Sequence, residues 1–150
     1  MNPGKITTTL VTLATIATFP VPVFAQSANQ TKNAQCDQII AITNAVVRDT
    51  KQFTNNGQAS APDSMLLAAN AMDSGAGRLQ NLSIADVKLQ AYKSRFIQLY
   101  GQTSQAIHAF VAAFEEKDRP AAEAALVRLQ QATRSEGPLV IEINNYCQRQ

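Results

Sequence analysis

The chain is 150 residues long, 45% hydrophobic, 16% charged and 6% aromatic, with no Trp, which is room for one ordinary domain. Thirteen Lys and Arg against eleven Asp and Glu leave a formal charge of +2, too balanced for the clustered basic face that captures nucleic acid. With 6 Gly, 6 Pro, 2 Cys and 1 His, the sequence lies outside the collagen-like and Pro/Gly-rich classes and is poor in the His and Cys that build zinc sites.

Residues 1–25 read as a secretory signal peptide. Lys5 supplies the positive n-region and the uncharged run ITTTLVTLATIATF the apolar core. Pro20 and Pro22 end any helix there, and Val23-Phe24-Ala25 fits a small-residue cleavage site, placing the cut after Ala25. The rival is an uncleaved anchor, since the uncharged stretch approaches the roughly 20 residues a membrane span needs. Its threonines and two prolines argue for cleavage. Losing Lys5 leaves 12 basic and 11 acidic side chains, a net +1 for a periplasmic or secreted chain.

Residues 26–33 are polar and aperiodic and read as a loose tail before one domain, 34–150. A first helix is predicted over 33–54, with Cys36, Ile39, Ile40, Thr43, Val46, Val47, Thr50 and Phe53 recurring at three and four. Asn55-Asn56-Gly57 stops it. Pro62 followed by Asp63 and Ser64 starts a second helix, 62–81, with a stripe through Met65, Leu66, Ala69, Met72, Ala76 and Leu79. Gly75 and Gly77 weaken it by about 1 kcal/mol each, and would allow a close helix approach.

After a break at 82–85, capped by Ser83 or Asp86, a third helix is predicted over 86–117. Asp118-Arg119-Pro120 makes a turn, and a fourth helix follows over 119–147. Gly137-Pro138 interrupts that run while the apolar spacing stays in phase, which favours one kinked helix over two unrelated pieces. A short strand at 139–143 is the alternative suggested by its β-branched residues.

Cys36 and Cys147 lie near the two ends of the domain, and an even cysteine count in an exported chain implies a disulfide. Free thiols or an intermolecular bridge are the alternatives. Four helices joined by short links should run up-down-up-down, which puts the start of the first helix and the end of the fourth at one end. The cysteines sit at those two places. The fold class expected is therefore all-α, a four-helix bundle with its termini clasped by one disulfide. The third and fourth helices are the longer pair, so their turn should overhang the 55–61 loop by roughly 10–15 Å. This leaves Ile107, Phe110, Phe114 and Leu126 as a candidate partner surface at the tip.

Other chemistry is thin. His108 with Met65 or Met72 could hold haem in a bundle of the cytochrome b562 type, but the helical heights do not meet. Glu136 falls on the apolar phase of the fourth helix beside the kink, without a second carboxylate to pair with it. Glu115, Glu116, Asp118 and Glu123 sit among Lys117 and Arg119 and read as a solvated turn. No nucleophile elbow, phosphate loop or Glu-X-X-His pair is present. Catalytic residues, metal and cofactor are all expected to be none.

The stretches LQAYKSRFIQLYGQTSQAI and KDRPAAEAALVRLQQATRSEGPLVIEINNYC resemble small exported bacterial proteins of unknown function, notably cyanobacterial ones. The resemblance covers about the last 60 residues and the placing of Cys36. It implies an exported helical bundle and carries no activity. The expected function is that of a non-enzymatic binding or assembly module of the periplasm or envelope, engaging a protein partner through the tip. The alternative is a carrier of a small apolar ligand, with Met65, Met72 and the core glycines leaving a cavity. An enzyme working at Glu136 is a third reading.

Overall fold

The computed structural model describes residues 31–56, 58 and 61–148. The expected signal peptide, its cleavage site and residues 26–30 lie outside them. The elements are α1 (Lys32–Phe53), α2 (Pro62–Gln80), α3 (Val87–Glu115), α4 (Arg119–Thr133) and α5 (Glu136–Gln148). Helices adjacent in the chain pack on one another, α1 on α2, α2 on α3 and α3 on α4, while α5 returns against α3 and α1. This is the up-down-up-down bundle, with α4 and α5 as the two halves of its fourth arm. At 1.5 Å per residue the 22 and 19 residues of α1 and α2 give about 33 and 28 Å, and the 29 of α3 about 44 Å.

The helix ends follow local chemistry. Thr31 caps α1, its Oγ1 accepting from the Ala34 N–H at 3.3 Å, so the helix begins one residue before the predicted start and Thr31 to Asn33 are not tail. Asp86 rather than Ser83 caps α3, accepting from Leu89 N–H at 2.9 Å, and Asp118 caps α4 through Ala121 N–H at 3.0 Å. Pro62 and Pro120 occupy first-turn positions, where a missing N–H costs nothing. α1 and α3 end in left-handed residues, Asn55 at φ 46° and Lys117 at φ 57°. There the Asn56 N–H bonds to the Lys51 carbonyl and the Asp118 N–H to that of Ala113, each at 2.8 Å.

The fourth arm is interrupted, not merely kinked, at Arg134–Ser135. Proline at 138 removes the N–H that would bond the Arg134 carbonyl, and its ring would crowd that carbonyl. Helical bonding resumes from Leu139 N–H to Ser135 carbonyl at 3.1 Å. Ala125, Ala132 and Leu139, each seven residues apart, and then Ile143 are buried on both sides of the break. The apolar phase therefore crosses it, as the spacing predicts, and no strand forms at 139–143.

Cys36 and Cys147 are bonded, with Cα atoms 5.9 Å apart and 111 residues of separation. Around the bond, Ile39, Leu79, Leu89, Phe96, Leu139 and Ile143 form the main core. A smaller cluster of Ala69, Ile107 and Val111 lies further along, flanked by Met65, Leu66, Phe110 and Leu129. The buried face of α1 is rotated from the predicted one. Gln35, Ile39, Ile42 and Val46 are buried, while Ile40, Thr43 and Val47 lie at the margin. Gly75 meets Val46 so closely that a Cβ there would lie 2.2 Å from Val46 Cγ2, whereas Gly77 has nothing within 4 Å of its Cβ position. The α1–α2 approach is thus set by one of the two glycines, Gly75.

Candidate functional site

The tip is formed by the end of α3 and the start of α4. Phe114 is 59% exposed and stacks on Phe110 one turn back, ring centroids 6.4 Å apart. Leu126 is 42% exposed and Val127 51%. The hairpin turns at Glu116–Asp118, which brings Phe114 of α3 and Ala122 of α4 to the same groove. Ala113, Phe114, Asp118, Arg119 and Ala122 line a shallow groove there. Phe110 is half-buried. Ile107 is only 6% exposed and packs with Ala69 and Val111, so it belongs to the core and is removed from the candidate surface. The surface is Phe114, Leu126 and the outer edge of Phe110. Arg119 Nε bonds Glu123 Oε1 at 2.9 Å beside it, and Asp118 is occupied as the cap.

A second polar cluster lies at the clasped end. Gln35 is 3% exposed; its Oε1 accepts from Ala85 N–H at 2.7 Å and Asp86 N–H at 3.0 Å. Asp86 Oδ2 accepts from the Tyr146 hydroxyl at 2.8 Å. Burial alone would raise the Asp86 carboxyl, but the Leu89 N–H, the Tyr146 hydroxyl, the Lys88 backbone and Lys32 outweigh it and hold the carboxyl below its ordinary value. The same bond, then burial, raises the Tyr146 hydroxyl. Lys32 and Lys88 lie over the Tyr146 ring at 4.4 and 4.9 Å, and the Tyr92 ring is 5.9 Å away. Arg95 grips Glu142 with both terminal nitrogens, at 2.5 and 3.2 Å. Every polar group named here has a partner, and the cluster ties the starts of α1 and α3 to the end of α5. Gln35 went unnoticed in the sequence, although it lies in register with Ile39, Ile42 and Val46.

His108 lies on α3 with Ser104 one turn before it. Both face Asp73 of α2: Ser104 Oγ donates to Asp73 Oδ2 at 2.8 Å, and His108 Nε2 is 3.8 Å from the same oxygen. The Ser104 hydroxyl thus donates to the carboxylate, whereas in a nucleophilic triad the hydroxyl donates to the imidazole and the imidazole to the carboxylate. The sequence gives no hint of this trio, because Asp73 is 31 residues from Ser104. Met65 and Met72 pack into the core clusters. Glu136 is half-buried at the first turn of α5. Among the described residues no three His, Cys, Asp or Glu converge as a metal site would need, and no helix is long and apolar enough to cross a membrane.

No protein-family model, curated protein or solved structure matches this chain.

Proposed function

We propose that this is an exported, non-enzymatic binding module that engages a protein of the periplasm or envelope through the α3–α4 tip. The observation that carries the reading is Phe114, a large aromatic 59% exposed at the end of the longest helix and stacked on a second Phe. Aromatic anchors of this kind dominate protein interfaces, and contiguous exposed apolar surface commonly marks an interaction site. Export is supported by the apolar leader of residues 6–19 and by the Cys36–Cys147 bond, since disulfides persist in oxidising compartments. The non-enzymatic reading is supported by the pairing of Asp86, Glu142, Glu123 and Asp118 in caps and ion pairs.

A photo-crosslinking side chain at position 114, with the same group at exposed Ser94 as control, tests the proposal in cells. The expected result is one crosslinked protein species from position 114 that Ser94 does not give, lost when Leu126→Glu is added. Crosslinks that are absent, or identical from both positions, overturn the tip as the docking surface.

A further inference from the structure

Between α3 and α4, about 12–18 Å from Phe114 along α3, lies a groove of about 320 Å³. The two helices line it with the same spacing. Gln102, Gln105 and Ala106 come from α3, and Arg128, Gln131 and Ala132 from α4. Each trio stands at i, i+3 and i+4, so it shares one helix face. Ala106 and Ala132 are buried and form the floor. Gln102, Gln105, Arg128 and Gln131 are exposed and form the rim. Among the described residues none of these four has a hydrogen-bond or ion-pair partner. Arg48, Arg95 and Arg119 each meet a carboxylate, and Arg128 does not. Its surroundings explain this: no Asp or Glu occurs over 87–114 on one side of the groove or over 124–135 on the other. The guanidinium charge is therefore not neutralised by either helix that builds the groove.

We propose that this groove binds a small hydroxylated monocarboxylate, of the size and chemistry of a sugar acid. Each part of the lining sets one feature of the ligand. Arg128 is the charged residue of the lining, and its planar guanidinium matches a carboxylate through two parallel bonds. The three glutamine amides each carry donors and an acceptor, which suits hydroxyls that donate and accept in turn. An apolar ligand would strip water from those amides and return no hydrogen bond. The lining holds no aromatic ring on which a flat apolar ligand would stack, and the alanine floor offers little apolar contact. Polar bonding therefore carries the selectivity. The volume lies at the lower end of the roughly 300–1,000 Å³ of small-molecule sites, which limits the ligand to about one monosaccharide unit. The site is independent of the tip.

NMR titration of the disulfide-bonded protein with glucuronate, and separately with glucose and acetate, tests this. Glucose lacks the carboxylate and acetate lacks the hydroxyls. Saturable shifts are expected at the side-chain amides of Gln102, Gln105 and Gln131 and at Arg128 Nε–H. Glucuronate should bind about 10-fold or more tighter than glucose, the size of one charge-assisted hydrogen bond, and tighter than acetate. Arg128→Gln should bring glucuronate down to the level of glucose. Gln102→Met with Gln105→Met keeps side-chain length and removes two amides. It should weaken glucuronate and leave acetate unchanged. Arg134→Gln removes a charge from the same arm outside the groove and should change nothing. All these positions are exposed, so the variants should keep the fold, which circular dichroism checks. Four results overturn the proposal: no saturable shift with glucuronate, equal binding of glucuronate and glucose, equal losses from Arg128→Gln and Arg134→Gln, or a glucuronate affinity untouched by the two methionines.

Discussion

Gly75 and Gly77 are two residues apart on one helix, and alanine should act on them in opposite directions. Each substitution gains about 1 kcal/mol of helix propensity. At Gly77 nothing lies within 4 Å of the new methyl, so Gly77→Ala should stabilise by roughly that amount. At Gly75 the methyl would sit 2.2 Å from Val46 Cγ2. Val46 is β-branched within a helix and holds essentially one rotamer, so it cannot swing away. Overpacking a filled core costs about 1–3 kcal/mol, which offsets the propensity gain and leaves Gly75→Ala net destabilising by up to about 2 kcal/mol. In a domain of this size that is a fall in melting temperature of up to roughly 8 °C, against a rise of about 4 °C for Gly77→Ala. Thermal unfolding followed by circular dichroism reads both. Val46→Ala removes the obstructing methyl, so in that background Gly75→Ala should become stabilising. A melting temperature that rises for Gly75→Ala alone would refute the close-approach argument, as would a penalty that persists without Val46.

Reduction of Cys36–Cys147 releases a loop of 111 residues, for which chain entropy gives about 4–5 kcal/mol and measured effects often run lower. A drop of roughly 10–20 °C in melting temperature on reduction is expected, and a change under about 5 °C would show that the clasp adds little. The Asp86 carboxyl is held below its unfolded-state value. Its contribution is therefore present above about pH 4 and lost as pH falls through the folded value. Asp86→Asn retains the cap and should flatten the acid side of the stability curve, and equal acid slopes would contradict this. Tyr146 is shifted upward, so its contribution holds below about pH 10 and is lost above it. Tyr146→Phe should flatten the alkaline side, and an unchanged alkaline slope would count against the Asp86–Tyr146 bond.

Helix positions and topology were legible because they rest on local rules. Pro62, Asp86, Asp118 and Pro120 announce helix starts by capping and ring geometry, and the two cysteines limit the pairing to one intramolecular bond. The predicted stripe of α1 includes the buried Cys36, Ile39 and Val46, but it is set too far to one edge: Ile40, Thr43 and Val47 on that edge lie at the margin, while Gln35, Ile42 and Ala45 on the other are buried. What separates the two is a tertiary fact: Gln35 reaches backbone donors 50 and 51 residues away. The tip residues were read from helix lengths alone, which cannot tell the inward Ile107 from the outward Phe114 across a bundle edge.

The bond between Cys36 and Cys147 also changes what it means to cut this chain. Residues 36–147 form a closed covalent ring, so a protease that severs one peptide bond inside it produces no fragment. A nick at Arg134–Ser135, where the helix is already interrupted, would leave α5 tethered beside α3 and free to re-dock as an intramolecular event. Shedding a piece requires two cuts, or one cut and a reductant. While the disulfide stays oxidised, that circular connectivity keeps a singly cut chain in one covalent piece.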